Sequence, residues 1–488
     1  MAQAKPAAAP ETALPAPFYF RQLGGRFLAT NDAGNWVWLD PAQLRKLAAG
    51  RVNLKTPLGR ELQTKGFVRD RMDFALLAQA YRQRNAFLWQ GPSLHILIVT
   101  LRCNHKCVYC HSSAVDTRQT DTDMSLGTAR AAVARAMQSP SSKIVIEFQG
   151  GEPLLNWPAV RAAVLHAESL NRHAKKDLQI SIVTNFSLLD EKKLGFLLDH
   201  EVSLCTSLDG PRDLHERNRV YLPGSSHALT TRWLRRLMTL ARTAQSPQRR
   251  IFQPSALLTI TRFSLGRWKD IVDEYTALGL GDVFFRPLAP IGYAKRVWTR
   301  IGYSAAQFLK FYASGLDYIL AQNRRGVPVA ERTAVLFLEK ILAGRDCGFV
   351  DLRSPCGAAL GQLAYNHDGD IYTCDEGRMV AHQGDSIFKL GHVARGTYEG
   401  LIDSPACRTL CMASNLESQA ACSRCAYKPF CGICPVHNYE AQGSLWGHMP
   451  TSDWCAIHMG ILDLLFQRLT RPADRKIFDA WLVRRKKP

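Results

Sequence analysis

"VTLRCNHKCVYCHSS", residues 99–113, decides the reading of the chain, because Cys103, Cys107 and Cys110 follow directly on a run of β-forming residues. Four thiolates would close a tetrahedral metal site and two would make a redox pair or a disulfide. A C-x3-C-x2-C triplet leaves one coordination position open, and an open position on a metal is where chemistry takes place.

Working outward, residues 94–290 alternate strand and helix patterns. The strand candidates are "LHILIVTLR", "KIVIEFQ", "LQISIVTN", "VSLCTSL", "SALLTIT" and "DVFFRPLA", with helix candidates between them at 125–138, 156–173, 190–200, 226–244 and 265–278. Such βα units predict an α/β fold with a parallel sheet whose active site lies at the C-terminal strand ends. Before them, residues 1–16 are Ala/Pro-rich and read as a disordered tail. Residues 17–90 read as a small α+β module: "FYFRQLGGRFLATNDAGNWVWLD" gives two or three short strands. Helices follow at "PAQLRKLAAG", capped by Asp40, and at "LGRELQTKGF". Residues 301–343 read as a helical linker, 344–460 as a loop-rich cysteine region, and 461–488 as a C-terminal helix with a basic tail.

Ten of the 14 cysteines lie beyond residue 346. That is too sparse overall for a disulfide scaffold, and the clustering points to metal, whose binding orders a segment with little hydrophobic periodicity. The N-terminus lacks the apolar core of a signal peptide and no apolar run is long enough to span a membrane, so the expected location is the cytoplasm, where thiols stay reduced. The net charge of +20 fits an acidic peptide, acidic proteins or nucleic acid. Arg232, Arg235, Arg236, Arg249, Arg250 and the terminal "RRKKP" are read as solvated faces and a tail, and nucleic acid is not the expected partner, since no appended RNA-binding motif is visible.

The triplet, with Tyr109 before its last cysteine and a strand in front of it, resembles the radical S-adenosylmethionine (SAM) enzymes. The resemblance implies a partial (βα)6 barrel over residues 91–300. Cys103, Cys107 and Cys110 would hold a [4Fe-4S] cluster whose fourth iron is chelated by SAM. Further strand ends match the family: Gly150-Gly151-Glu152-Pro153, Thr184-Asn185, and Ser207 to Arg219. The resemblance assigns Tyr109, Gly150, Gly151, Glu152, Asn185, Ser207 and Arg219 to SAM. The glycines would let the backbone approach it and the Glu152 carboxylate would take its ammonium. Asp209 and His215 match too, as residues that fix the loop. His105 and His111 flank the triplet and are read as surface histidines, with tuning of the cluster by hydrogen bonding as the alternative.

Downstream, Cys356, Gly369 and Cys374, then Cys422-x2-Cys425-x5-Cys431-x2-Cys434, then Cys455, resemble the SPASM domain with two auxiliary [4Fe-4S] clusters, three clusters in all. By that analogy Cys347, Cys356, Cys374 and Cys434 hold the first auxiliary cluster. Cys422, Cys425, Cys431 and Cys455 hold the second. The family usually has three residues, not two, before the last cysteine of the central run. Cys205 then remains as a core residue, while Cys407 and Cys411 are spare thiols or replacements for an assigned ligand. Asp375, directly after Cys374, matches the position of a proposed base in sulfatase-maturing relatives.

Along its length the chain most resembles maturase B of the His-Xaa-Ser peptide systems. This implies a radical SAM peptide-modifying oxidoreductase acting on a small His-Xaa-Ser repeat precursor peptide. A second radical SAM maturase would be its partner, and a flavodoxin or ferredoxin its electron donor. The N-terminal module would bind a leader peptide by strand addition. Two rivals stand beside it: a sulfatase-type maturase oxidising Cys or Ser, and a non-enzymatic protein holding zinc through C-x2-C pairs.

Overall fold

The computed structural model describes residues 12–69, 72–243 and 250–485. The tail over 1–11, Arg249 and the last three residues of "RRKKP" lie outside them.

Strands β1 (Tyr19–Leu23), β2 (Arg26–Thr30) and β3 (Trp36–Leu39) form an antiparallel sheet, turned between β1 and β2 at Gly24, whose φ of 61° favours glycine. Helices α1 (Pro41–Ala48), α2 (Pro57–Thr64) and α3 (Phe74–Arg84) follow. Asp40 caps α1 with a capping box, as its position before Pro41 predicts. The expected disordered tail is shorter than residues 1–16: Thr12–Ala13 pairs with Val52–Asn53 and Ala16 is buried, so apolar contact with the module orders this end.

The barrel strands β4 (Leu94–Thr100), β5 (Lys143–Gly150), β6 (Asp177–Val183), β7 (Ser203–Ser207) and β8 (Ser255–Leu257) are parallel neighbours in chain order. Helices α4 (Leu126–Met137), α5 (Trp157–Ala174), α6 (Glu191–Asp199), α7 (Ser226–Thr243) and α8 (Trp268–Ala277) alternate with them. β4 is buried at every position after Leu94, as a strand covered on both faces must be, and each such Val, Ile or Leu contributes roughly 1.5–3 kcal/mol. The sixth unit is reduced. Asp282–Val283 pairs with Ala330–Glu331 instead of the main sheet, which it touches through one parallel bridge, Thr259 with Arg286. Pro287 follows directly and supplies no donor for a longer ladder.

After α9 (Ala305–Arg324) and α10 (Arg332–Leu342), β9 (Gln362–Tyr365) runs parallel to β4 on its other edge, with Gln362 opposite Leu94. β10 (Asp370–Tyr372), α11 (Asp375–Ala381) and β11 (Lys389–His392) continue from it, giving an eight-stranded sheet ordered β8-β7-β6-β5-β4-β9-β10-β11. The cysteine region is therefore fused edge to edge with the barrel. Helices α12 (Pro405–Ser414), α13 (Pro435–Gln442), α14 (Asp453–Leu469) and α15 (Pro472–Arg485) complete the chain. The expected boundary at residue 460 falls inside α14, which carries Cys455 in its first turn.

The N-terminal sheet sits on the cysteine region. Arg21 makes a two-pronged contact with Asp463 (2.6 and 2.7 Å), Thr30 Oγ1 donates to the Ala426 carbonyl (2.7 Å), and Lys428 pairs with Asp32 (2.7 Å).

Candidate functional site

The cysteine triplet hangs from the C-terminal end of β4. Backbone hydrogen bonds staple it on two sides: Cys103 N donates to Val115 O (3.1 Å) and Val108 N to Asn218 O (2.9 Å), while Cys107 pairs with Arg219 in a two-residue ladder. The thiols are close enough to act on one another. Burial raises Cys103 well above the ordinary thiol range, with Cys107, Glu152 and Cys110 adding to it. Burial raises Cys107 to about 11 against the lowering influence of Arg219. Crowded, buried thiols resist ionisation until a cation joins them, so this donor set fits an iron-sulfur cluster that supplies positive charge.

The strand ends converge on this loop. Glu152 is fully buried and accepts hydrogen bonds from Thr184 Oγ1 (2.6 Å), Asn185 N (2.8 Å) and Leu154 N (3.1 Å). A carboxylate has about four lone-pair sites, so one remains for an ammonium beside Cys103. Burial raises the Glu152 pKa, and the hydrogen bonds and Arg219 oppose it. Asn185 Nδ2 donates to Asn104 Oδ1 and reaches His105 Nδ1, both at 2.9 Å, which ties the third strand end to the cluster loop. Tyr109 Oη donates to the Asp209 carboxylate (2.7 and 3.0 Å) and accepts from Arg219 Nη1 (2.7 Å). Burial opposes the Arg219 charge, but Cys107, Tyr109 and Asp209 hold the guanidinium well above its usual value. Ser207 is half-buried at the end of β7, in register with Leu257. His215 Nδ1 accepts from Asp209 N (3.3 Å), so these two fix the loop.

One expectation gains a structural reason and another changes. Gly150 and Gly151 are required by the protein's own backbone: a Cβ there would overlap the Thr100 and Arg102 carbonyl oxygens, and Gly151 N and Glu152 N donate to those same two carbonyls (2.9 and 2.7 Å). Their smallness seats the β5 end against the root of the cysteine loop. His105 is buried, not a surface histidine. It stacks on Tyr221 at 4.6 Å, shares a hydrogen bond with Ser226 Oγ (2.8 Å), and burial lowers its pKa to about 3. His111 is half-buried, contacts the Ala289 carbonyl (3.2 Å), and burial lowers it to about 4. Sequence reasoning missed Asn104 and Ser226, and marked Thr184 only as part of a strand end without its hydrogen bond to Glu152. Adjacency to the triplet or to a strand end was the only signal for Asn104 and Thr184.

The downstream cysteines form two groups. Cys422, Cys425, Cys431 and Cys455 line one apolar cavity with Leu416, Ile433, Met449 and Trp454. Burial raises Cys422 to about 12, with Cys455 and Cys425 contributing. Arg21 from β1 lies close enough to lower Cys425 and Cys455. Cys356, Cys374 and Cys434 form the second group: each is buried, they belong to one packing cluster, and burial together with neighbouring acids raises all three. Cys374 and Cys434 cap α11 and α13, accepting from Gly377 N (3.2 Å) and His437 N (3.4 Å). Cys347 stands apart. It packs in the main core, and the charged groups with the largest influence on it are Lys340, Asp346 and Arg485. Half-buried Asp351 lies close enough to act on Cys356 and Cys434, and burial together with Glu376 raises its carboxyl to about 7 while Arg286 opposes the shift. Cys407 and Cys411 lie one turn apart on α12, close enough to act on each other. Cys205 lies within β7, raised to about 12 by burial.

Asp375 is buried, and Arg378 Nε donates to it at 2.7 Å, while both terminal nitrogens of Arg378 lack a partner. Among the described residues no three His, Cys, Asp or Glu side chains converge tightly enough to hold a single metal ion, and no helix is long and apolar enough to cross a membrane.

Residues 97–239 match the Radical SAM superfamily. An uncharacterized protein of Methanocaldococcus jannaschii is 30% identical over 136 residues, which span 28% of this chain and 45% of that protein. A cysteine-type anaerobic sulfatase-maturating enzyme of Clostridium perfringens is 24% identical over 397 residues, 78% of this chain and 99% of that one. The fold superposes on anSMEcpe with bound AdoMet at a TM-score of 0.65 and 19% identity, covering 81% of this chain and 99% of that one. On Streptococcus suis SuiB bound to precursor peptide SuiA the TM-score is 0.52 at 13% identity, covering 89% and 98%.

Proposed function

Because the chain carries a radical SAM domain over residues 97–239 and is thereby an enzyme rather than a zinc-holding interaction protein, we propose that it is a maturase that modifies a ribosomally made precursor peptide. The observation that carries this reading is the convergence of Glu152, Asn185 and Arg219 on the Cys103/Cys107/Cys110 loop, with two further cysteine groups in the same sheet-linked body. When bound, the cluster and SAM supply a 5′-deoxyadenosyl radical that takes a hydrogen atom from the substrate.

The chain's own residues position these groups. The free lone pair of Glu152 would receive the SAM ammonium, and Arg219, held by Tyr109 and Asp209, would present a guanidinium to the SAM carboxylate. Asn185 and Ser207 would hold the ribose. The downstream groups hold the auxiliary clusters, and Asp375, oriented by Arg378, accepts the proton that leaves the substrate. The N-terminal sheet suits leader recognition, since β1 and β3 are its edges and a peptide can add there as a strand. The likeness to SuiB bound to its precursor peptide supports a peptide substrate. We assign a His-Xaa-Ser repeat peptide as that substrate, a second radical SAM maturase as partner, a flavodoxin or ferredoxin as electron donor, and the cytoplasm as the site of action.

Similarity along 99% of the C. perfringens enzyme favours a second reading, oxidation of a Cys or Ser in a sulfatase-type substrate. Mass spectrometry separates the two. Co-expression with a His-Xaa-Ser repeat peptide is expected to give a mass change that disappears in Cys103→Ala. A change confined to a sulfatase-derived Cys or Ser peptide favours the second reading, and no triplet-dependent change on either refutes both.

A further inference from the structure

Three thiols close on the first auxiliary site and the fourth expected one does not. Cys347 is in the main hydrophobic core, while Cys356, Cys374 and Cys434 share another packing cluster. The charged neighbour that acts most strongly on Cys347 is the Lys340 ammonium, which donates to the carbonyls of Leu352 and Cys431. Four residues further along, the one-turn helix Val350–Leu352 brings Asp351 to the trio. Its carboxylate acts on Cys356, Cys374 and Cys434 alike, and among the acids it has the largest influence on Cys356 and on Cys434. The same turn wedges its main chain into the central cysteine run: a Cβ at Gly432 would overlap the Asp351 carbonyl oxygen. The shortened Cys431-Gly-Ile-Cys434 spacing and the approach of Asp351 are thus one packing arrangement.

Glu376 is the other acid near the trio, but it is engaged by Arg286 (3.6 Å) and by Cys374. Asp351 makes no side-chain hydrogen bond or ion pair among the described residues; the charged groups that act on it are Glu376 and the Arg286 guanidinium, which it shares with Glu376. One guanidinium shared by two acids does not balance them once Cys356, Cys374 and Cys434 are thiolates, and the fourth iron of a cluster held by those three supplies the missing positive charge beside Asp351.

We propose that the Asp351 carboxylate, and not Cys347, is the fourth protein ligand of the first auxiliary cluster. The inference rests on the auxiliary-cluster reading above. On coordination the carboxylic acid gives its proton to solvent and one oxygen binds iron; no electron moves. A carboxylate is a harder ligand than a thiolate and leaves this iron the most exchangeable of the four.

The test is electron paramagnetic resonance on the anaerobically reconstituted full chain, together with iron content, which is about 12 per wild-type chain for three clusters. Asp351→Ala is expected to show the oxidised-state signal of a three-iron cluster. Asp351→Cys is expected to keep the four-iron signal at a lower reduction potential, and it also guards against misfolding of the alanine variant. Cys347→Ala is expected to leave every signal unchanged. A three-iron signal in Cys347→Ala, or none in Asp351→Ala, overturns the ligand assignment while leaving the cluster in place. If Cys356→Ala changes neither iron content nor spectrum, the auxiliary-cluster reading itself fails.

Discussion

Replacing Glu152 by Gln removes one charge while keeping shape. The wild-type carboxylate takes Thr184 Oγ1 and Leu154 N on one oxygen and Asn185 N on the other. An amide offers one acceptor oxygen, so its NH2 must face either the Asn185 N–H or the Leu154 N–H, and one buried backbone donor loses its partner. That costs about 1–3 kcal/mol of stability. The same substitution removes the only carboxylate at this strand end that can pair with the SAM ammonium, a charged hydrogen bond worth about 2–3 kcal/mol, equivalent to roughly 30- to 150-fold in SAM affinity. Thr184→Val separates the two effects, because it removes one of three donors to Glu152 and leaves the charge; it should cost about 1 kcal/mol of stability and little affinity. Equilibrium dialysis of SAM against the reconstituted protein, with denaturant melts of both variants, reads out both quantities. SAM binding by Glu152→Gln within twofold of wild type would refute the role given to this carboxylate.

Two further outcomes follow from the geometry. Gly151→Ala forces a Cβ onto the Arg102 carbonyl and displaces the loop that carries Cys103; far-ultraviolet circular dichroism should stay native while the brown absorbance of the triplet's cluster falls, and undiminished absorbance would contradict the tight seating of β5. His95, fully buried between Tyr365 Oη (3.0 Å) and the Pro92 carbonyl (3.2 Å), has its pKa lowered by burial to about 3. Because the folded value lies below the unfolded one, its contribution is full above about pH 6.5 and is lost as pH falls toward 3, by about 2 kcal/mol at pH 5. Other buried histidines, His105 and His111 among them, keep their own pH dependence, so His95→Gln should reduce the loss of stability between pH 7 and pH 5 in urea melts by about 2 kcal/mol, and an unchanged pH dependence would refute it.

The barrel half of the site was legible because strand ends are marked twice, by an apolar run and by the polar residues that stop it, as in Ile144 to Glu152 and Ile180 to Asn185. Helices with clear caps, such as Ser125 before α4, came through within a residue or two. What escaped depends on contacts distant in sequence. β9 is four residues long and becomes a strand because β4 offers it an edge 268 positions away, Leu94 to Gln362. The reduction of the sixth strand is set by Glu331, whose Oε1 accepts from Phe285 N (3.1 Å). Family analogy, against an unusual spacing, put Cys347 with Cys356; in the proposal above the turn at Val350–Leu352 brings Asp351 there instead.

The joint between β4 and β9 has a consequence for synthesis. β4 emerges from the ribosome with an apolar edge, and its partner on that side, ending at Tyr365, is made about 270 residues later, on the order of 15–50 s at roughly 5–20 residues per second. During that interval the edge is open to pairing with another nascent chain, and the loop bearing Cys103, Cys107 and Cys110 hangs from it. A fragment ending before β9 keeps this edge open permanently, so the barrel and the cysteine-rich region are a single unit of folding and of expression.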